Sequence, residues 1–247
     1  MLTPPEGFDA PQEIFDGEVS SPVFRSLEGE LPIIVLHELP GMTPSFIEYC
    51  QHMVKEGFKV YMPLLFKDVG SEMSTGQTIR FCLDKEFRHL FSARAEDGSR
   101  PISNWLLHLT KHVAQECPNQ KIGMIGMCLT GGFALVGLAD PSVAGVICCQ
   151  PSYPFFFNQS IGLTSSQREK VSDGAKRLPK PCVKGFRYDK DWICRKSHFN
   201  AIENLLDDAF DKKTLPGRGH STVTGSCLNK RVFDEIVVFL NRQLKAS

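Results

Sequence analysis

The hydrophobic pattern of the chain alternates between two kinds of segment. Continuous apolar runs of strand length are typical of strands buried on both faces of a parallel sheet; they cover residues 31–37 and 143–149. Further strands are predicted over 57–65, 122–127, 181–187 and 213–215. Between them, apolar residues recur at helical spacing from Pro44 and over 101–116, 197–210 and 228–244. The alternation predicts an α/β fold with a mostly parallel central sheet and helices on both faces, in a single domain over 1–247.

Two segments lack this pattern. Residues 1–29 are polar and rich in proline, glycine and acidic residues, which predicts an irregular N-terminal arm or a short hairpin over the main body. Residues 66–100 carry many charges and several glycines, with a possible helix around 79–91, and we interpret them as a possible lid or excursion. Arg80, Arg88 and Arg94 lie here, either as solvated helix charges or with one of them binding an anionic substrate.

The stretch 121–132, KIGMIGMCLTGG, runs from a predicted strand through Gly126 to Cys128 and into the helix-prone FALVGLAD. This order is typical of a nucleophile elbow, written G-x-S-x-G, with cysteine in place of serine. Unpaired N–H groups at the start of the helix can stabilise a thiolate and receive an oxyanion. A buried structural cysteine in tight helix–strand packing is the alternative interpretation.

Polar residues follow several predicted strands, at the edge where open α/β sheets bind ligands. Glu38 follows the run 31–37, Asp189 and Asp191 follow 181–187, and His220 lies in a glycine-rich turn before the last helix. The aromatic stretch 153–157 after 143–149 either lines a pocket or covers the core. Nucleophile, acid and histidine in this chain order are typical of α/β-hydrolases, with either aspartate as the acid.

Composition excludes several classes of function. Lysine plus arginine equals aspartate plus glutamate at 28 each, so the charge that nucleic-acid binding requires is missing. We find neither a signal peptide nor an apolar stretch of membrane-spanning length. Nine cysteines without a regular framework indicate reduced thiols in a cytoplasmic protein. No CxxC or HExxH occurs, and the pair His108 and His112 has no third ligand nearby, so no metal is expected.

Three motifs carry a resemblance to a known family. They are VLHELPG at 35–41, GMCLTGG at 126–132, and the later aspartate with the Gly219-His220 pair. The chain is similar to the dienelactone hydrolase (carboxymethylenebutenolidase) family of the α/β-hydrolase superfamily from about residue 30 to the C-terminal helix. Thr130 departs from the pattern, because the family usually has glycine there. The residues after Asp191 match the family's acid better than those after Asp189.

The resemblance implies an intracellular hydrolase of esters or lactones with no cofactor. Cys128 would attack the carbonyl carbon, His220 would carry the proton, and Asp191 would orient His220.

The resemblance also implies roles for the residues around the nucleophile. Backbone N–H groups of Leu39 and Leu129 would form the oxyanion hole. Glu38 would lie beside Cys128, oppose thiolate formation in the resting enzyme and move when substrate binds. Arg88 and Tyr153 are candidate substrate contacts.

Two other functions remain open. One is a non-catalytic α/β-hydrolase-fold protein that binds a small molecule or a partner protein. The other is a cysteine-dependent thioesterase or acyltransferase. The oligomeric state is not predicted.

Overall fold

The computed structural model describes residues 2–65, 89–91, 100–152, 161–225 and 228–245. Most of the segment 66–100 lies outside the described residues, and so does the aromatic stretch 153–157. The predictions of a lid or excursion and of an aromatic pocket wall therefore stay predictions.

A single mixed sheet forms the centre of the fold. Its strands are β1 (Gln12–Phe15), β2 (Ser20–Arg25), β3 (Leu31–Leu36), β4 (Phe58–Pro63), β5 (Ile122–Met127), β6 (Val143–Cys149), β7 (Val183–Tyr188) and β8 (Phe210–Leu215). The 8-stranded sheet has the order β1-β2-β4-β3-β5-β6-β7-β8. β2 pairs antiparallel with both β1 and β4, and every other neighbouring pair is parallel.

Helices cover both faces of the sheet, as the sequence predicts. Among the described residues they are α1 (Pro44–Lys55), α2 (Pro101–Glu116), α3 (Leu129–Phe133) with a 3-10 helix after it (Ala134–Ala139), α4 (Ser165–Lys176), α5 (Lys196–Leu206) and α6 (Lys230–Lys245). Ile34 of β3 shares one apolar cluster with Trp105 of α2, and α3, α4 and α5 also contribute to it. Ile33 points to the opposite face, where α1 and α6 contribute to a second cluster.

The N-terminal segment forms a hairpin instead of an irregular arm. β1 and β2 pair over Gln12–Phe15, and β2 continues the sheet by placing Val23 opposite Pro63 of β4. The indole N–H of Trp105 donates to the Ile14 carbonyl at 2.9 Å, which ties the hairpin to α2. Of the two alternatives for residues 1–29, the hairpin is present, and it extends one edge of the sheet.

Two boundaries differ from the predicted ones near the C-terminus. The helix predicted over 197–210 ends at Leu206, and Asp207 reverses the chain with a φ of 47°. Phe210 already belongs to β8, because it pairs with Val183 and packs edge-on against Phe199 at 5.4 Å between ring centroids. Helix α4 has no counterpart in the prediction, since few of its residues are apolar.

Candidate active site

Cys128 occupies the strained turn that the sequence predicts at the end of β5. Its backbone has φ 53° and ψ −118°, a conformation that non-glycine residues rarely adopt. A Cβ at Gly126 would lie 2.3 Å from the Thr130 carbonyl oxygen, so the strand and the following turn approach too closely for any side chain there. The turn therefore holds the thiol at the ligand edge of the sheet.

The helix after Cys128 is shorter than the sequence predicts. α3 spans five residues, Leu129–Phe133, and FALVGLAD continues as a 3-10 helix over Ala134–Ala139. A short helix carries a small dipole. Stabilisation of negative charge at its start therefore depends on the individual N–H groups more than on the dipole. In the first helical turn after Cys128, the Gly131 N–H donates to the Cys128 carbonyl at 3.0 Å.

The structure brings Asp191, and not Asp189, to His220. Nδ1 of His220 lies 2.7 Å from Oδ2 of Asp191. The other oxygen, Oδ1, accepts the N–H groups of Ile193 and Cys194 at 2.8 and 3.0 Å. Asp189 instead accepts the N–H of Gly217 at 2.8 Å and so supports the loop that carries the histidine.

The charges of this pair stabilise one another. Burial disfavours the Asp191 anion, but the His220 ring and the two backbone N–H groups outweigh burial and lower the pKa of Asp191. Burial also disfavours the imidazolium of His220. The interactions of the ring with Asp191 and Cys128 outweigh burial and raise the pKa of His220. Nε2 of His220 is buried and has no hydrogen-bond partner among the described residues.

Ser152 is a neighbour of the thiol that sequence reasoning missed. Its hydroxyl oxygen lies 3.2 Å from Sγ of Cys128, and its N–H donates to the Cys128 carbonyl at 2.9 Å. The residue follows β6 at the same edge of the sheet as Glu38, which is the positional signal that could have identified it.

Glu38 is buried, with 8% of its surface exposed, beside Cys128 and His220. A carboxylate oxygen of Glu38, Sγ of Cys128 and a ring nitrogen of His220 all lie within 4.8 Å of one another. The carboxylate accepts hydrogen bonds from Nε2 of Gln150 at 3.1 Å, from the Ser221 hydroxyl at 3.0 Å and from the Thr224 hydroxyl. No ion pair of Glu38 is found among the described residues. The hydrogen-bond donors to its carboxylate there are neutral amide and hydroxyl groups.

Gln150 connects Glu38 to the loop that carries His220. Its side-chain oxygen accepts the N–H and the hydroxyl of Thr222 at 3.0 and 2.6 Å, while its amide N–H donates to Glu38. Gln150 is fully buried and has a φ of 35°, so its backbone is strained like that of Cys128. It follows β6, the neighbour of the strand β5 that Cys128 follows. Its place after β6 was the only signal of this role in the sequence.

His37 orients the peptide that precedes the candidate oxyanion donor Leu39. Its Nε2 accepts the N–H of Leu65 at 3.0 Å, so Nδ1 carries the proton and donates to the Glu38 carbonyl at 3.1 Å. Because a planar trans peptide aims its C=O and N–H in opposite directions, fixing the Glu38 carbonyl also fixes the Leu39 N–H. The N–H groups of Leu39 and Leu129 make no hydrogen bond to the described residues.

Burial of His37 predicts a specific loss of stability in acid. Burial lowers the pKa of His37 from 6.5 to about 4. The folded state therefore binds fewer protons than the unfolded state, and stability falls as the pH drops from about 6.5 to about 4. Between pH 7 and pH 5 this histidine should account for roughly 2 kcal/mol.

Urea unfolding at pH 7 and pH 5 checks this value. His37→Gln keeps a donor and an acceptor but cannot titrate, so its unfolding free energy should fall by roughly 2 kcal/mol less than that of the wild type. An equal fall in both proteins would contradict a buried neutral His37.

The sequence matches the model of the dienelactone hydrolase family over residues 21–213. The match spans most of the chain and includes Glu38, Cys128 and Asp191, and it ends before His220. The chain belongs to the dienelactone hydrolase family. Membership makes the protein an ester or lactone hydrolase, as the sequence predicts.

Solved structures of this family and of other hydrolases share the fold. Dienelactone hydrolase from Anabaena variabilis superposes with a TM-score of 0.63 at 17% identity, covering 96% of this chain and 100% of that one. Acetyl xylan esterase 1 from Thermoanaerobacterium superposes with a TM-score of 0.62 at 16% identity, covering 98% of this chain and 86% of that one. Among curated proteins, none matches the sequence significantly. No helix in the described part of the chain is long and apolar enough to cross a membrane.

Thr130 links the turn at Cys128 to the end of β3. Its buried hydroxyl accepts the N–H of Met127 at 2.9 Å, and the carbonyl oxygens of Leu36 and His37 lie 3.1 and 3.2 Å away as acceptors. Thr130 thus connects the segment of Cys128 to the segment of Glu38.

Thr130→Val should destabilise the protein by roughly 1–3 kcal/mol, because it leaves the buried Met127 N–H without an acceptor. Thr110→Val is the matched control. The Thr110 hydroxyl is also buried but only donates to the Leu106 carbonyl one helical turn away, so the expected cost is smaller. Urea unfolding of both variants measures the difference. Equal costs would mean that the Thr130 hydroxyl does not support the turn.

The sequence offers no short-range metal motif, but the fold assembles one set of metal-binding side chains. Glu38, Cys128 and His220 are the group of three that could hold an ion among the described residues. The pair on α2 does not form such a group: His112 faces Glu116 at 3.3 Å, and His108 is exposed to solvent.

Two candidate substrate contacts cannot be placed. Arg88 and Tyr153 both lie outside the described residues. Ser221 and Thr224, which hold Glu38, were missed by sequence reasoning. Ser221 follows His220 directly, which was a usable signal, whereas nothing in the sequence singles out Thr224.

Proposed function

We propose that the protein is a cytoplasmic cysteine hydrolase of small-molecule esters or lactones, with Cys128 as nucleophile, His220 as general base and acid, and Asp191 as the residue that orients His220. The observation that supports this most strongly is the geometry at the ends of β5, β7 and β8. Cys128 sits in a strained turn, a His220 nitrogen is within 4.8 Å of its Sγ, and Asp191 is 2.7 Å from His220 Nδ1.

In the first half of the reaction, His220 Nε2 takes the thiol proton and Sγ of Cys128 attacks the carbonyl carbon. The carbonyl π electrons move to oxygen, and the N–H groups of Leu39 and Leu129 donate to the resulting oxyanion. The oxyanion then collapses, the C–O bond to the leaving group breaks, and the departing alkoxide takes the proton from His220. With a lactone, this alkoxide stays attached to the acyl chain as a hydroxyl group.

In the second half, water attacks the acyl carbon of the thioester while His220 accepts one of its protons. The C–S bond breaks, Cys128 regains a proton from His220, and the carboxylic acid leaves. Asp191 keeps the Nδ1 proton in place throughout, so that Nε2 is the nitrogen that exchanges protons. The raised pKa of His220 supports an imidazolium paired with the thiolate before attack.

For Glu38 we propose a role in holding the resting site. Its negative charge beside Sγ disfavours the thiolate, so the proton stays on Sγ in the resting enzyme and passes to His220 only when Glu38 moves away. Movement of Glu38 on substrate binding would break its hydrogen bonds from Gln150, Ser221 and Thr224. The substrate must therefore supply replacement donors for such a movement to occur.

The state of the cysteines supports the cytoplasmic setting. The described cysteines are all free: Cys50, Cys117, Cys128, Cys148, Cys149, Cys182 and Cys194. Cys148 and Cys149 are fully buried in β6, where they pack as small apolar side chains. Persistent free thiols are typical of reducing compartments.

A panel of acyl donors tests the function. p-Nitrophenyl acetate, a dienelactone-type lactone and an acyl thioester are each assayed with and without an added amine or alcohol nucleophile. The proposal expects ester or lactone turnover that one equivalent of iodoacetamide abolishes, with intact-mass detection of a single adduct at Cys128. Cys128 is half-buried whereas the other described cysteines are buried, so among these alkylation should favour Cys128. Absence of the adduct in Cys128→Ala distinguishes it from Cys82 and Cys227, which lie outside the described residues.

Two results would replace the proposal. Preferred turnover of the thioester, or transfer of the acyl group to the added nucleophile, would indicate the thioesterase or acyltransferase function. No turnover of any donor by correctly folded protein would favour the non-catalytic binding protein.

A further inference from the structure

Two groups of the candidate active site lack a complementary partner among the described residues. The buried Glu38 carboxylate has only neutral donors around it, and the buried Nε2 of His220 has no hydrogen bond. A Glu38 carboxylate oxygen and a ring nitrogen of His220 both lie within 4.8 Å of Sγ of Cys128. We propose that Glu38, Cys128 and His220 bind one Zn²⁺ ion, which reversibly blocks the hydrolase.

The donor set fits zinc. Carboxylate oxygen, thiolate sulfur and imidazole nitrogen are the three ligand types that Zn²⁺ takes in proteins, and three protein ligands leave a fourth position for water. Zn–S bonds of about 2.3 Å and Zn–N and Zn–O bonds of about 2.0 Å place tetrahedral ligand atoms roughly 3.5 Å apart. Ligand atoms already within 4.8 Å reach this spacing by small rotations of the Cys128 and His220 side chains.

The surroundings of the cluster orient its ligands. Zinc-binding histidines commonly donate their second ring N–H to a carboxylate, which fixes the nitrogen that faces the metal. Asp191 holds Nδ1 of His220 in this way at 2.7 Å, so Nε2, once its proton has left, is the nitrogen that bonds the metal. Gln150 and Ser221 donate to the Glu38 carboxylate at 3.1 and 3.0 Å.

Zinc binding and hydrolysis exclude each other because they use the same electron pairs. On binding, the single proton that Cys128 Sγ and His220 Nε2 share is released to solvent, and both atoms form bonds to zinc without any change of oxidation state. The thiolate is then not available to attack a carbonyl carbon, and His220 Nε2 cannot accept a proton. Removal of the ion by a chelator should restore the nucleophile and the proton acceptor, and with them the hydrolysis.

Cobalt(II) titration tests the site directly. Co²⁺ alone is added to chelator-treated protein, and a thiolate-to-cobalt charge-transfer band in the near ultraviolet reports the Sγ bond. We expect saturation at one equivalent and displacement of the band by Zn²⁺. Cys128→Ser should abolish the band, and Glu38→Gln should weaken binding at least tenfold.

Asp191→Asn provides a further test, because loss of a carboxylate partner to a metal-binding histidine lowers affinity by about 10- to 100-fold. His112→Gln is the matched control for adventitious surface binding, since His112 pairs with Glu116 on α2 outside the cluster. It should leave both cobalt binding and hydrolysis unchanged.

The outcomes separate this inference from the proposed function. A band that Glu38→Gln leaves unchanged would overturn the three-ligand site, and so would saturation without any thiolate band. Zinc should inhibit hydrolysis at the concentration that displaces cobalt, and EDTA should reverse the inhibition. The spectroscopic titration needs no substrate, so it stands even if the donor panel finds no hydrolysis.

Discussion

Cys128→Ala should lower kcat/KM for an ester or lactone substrate by roughly 10⁴-fold or more, with little change in unfolding free energy. Loss of the nucleophile removes the covalent step, and oxyanion donors and binding alone leave a small residual rate. We expect intact-mass analysis to detect an acyl-enzyme in the wild type and not in the variant. Alanine adopts the positive φ of 53° no more easily than cysteine does, so the strain of the turn remains.

Two further variants make this result specific to the thiol at the turn. Cys117→Ala removes a buried thiol near Tyr61, outside the candidate site, and should leave kcat/KM unchanged. Cys128→Ser keeps the shape but not the acidity of the nucleophile, so it should be far less active than the wild type. Retained activity in Cys128→Ala would remove Cys128 from the mechanism.

Asp191→Asn has the second-largest expected effect, a fall of roughly 10³- to 10⁴-fold in kcat. The amide oxygen can still accept the N–H groups of Ile193 and Cys194, so the loop should keep its conformation. The amide NH₂ would instead donate to Nδ1 of His220, which places the ring proton on Nε2, facing the thiol. His220 could not then take the thiol proton.

Asp189→Asn is the matched control, two residues away. Among the described residues the Asp189 side chain accepts one N–H, that of Gly217, and asparagine can accept it equally well, so kcat should change less than about tenfold. Steady-state kinetics of both variants decide between the two aspartates that the sequence left open. Equal losses would mean that the loop, and not the His220 contact, is the cause.

The pKa of His220 gives an independent measurement of the contact between Asp191 and His220. Asp191 raises the pKa of His220, so Asp191→Asn should lower the pH at which the ring loses its proton, whereas Asp189→Asn should not. Nuclear magnetic resonance of the imidazole follows this change without any substrate.

Elements with strong local patterns were predictable from the sequence. The bounds predicted for α2 and β6 agree with the structure, because β6 is buried on both faces and α2 carries a regular apolar stripe. The turn at Cys128 was predictable because glycine spacing reports close backbone approach, which is a local property. The hairpin β1–β2 and the polar helix α4 were less predictable, since their polar composition is equally compatible with loops.

The surroundings of the candidate site were decided by contacts between distant segments. Gln150 joins Glu38 to Thr222, and Ser152 touches the thiol, although nothing in their local sequence distinguishes them from loop residues. Hydrogen bonds of this kind depend on distances between strand ends, which are set only when the sheet order β3-β5-β6-β7-β8 forms.

The chain order of Cys128, an acid at Asp189 or Asp191, and His220 could be predicted from the sequence because each residue follows a recognisable strand or precedes a helix. The family was indicated by the resemblance of the motifs around these residues. The choice between Asp189 and Asp191 required the folded loop, since only one of them points its carboxylate at the ring. The grouping of Glu38 with Cys128 and His220 also required the fold, because parallel strands bring residues far apart in sequence to one edge.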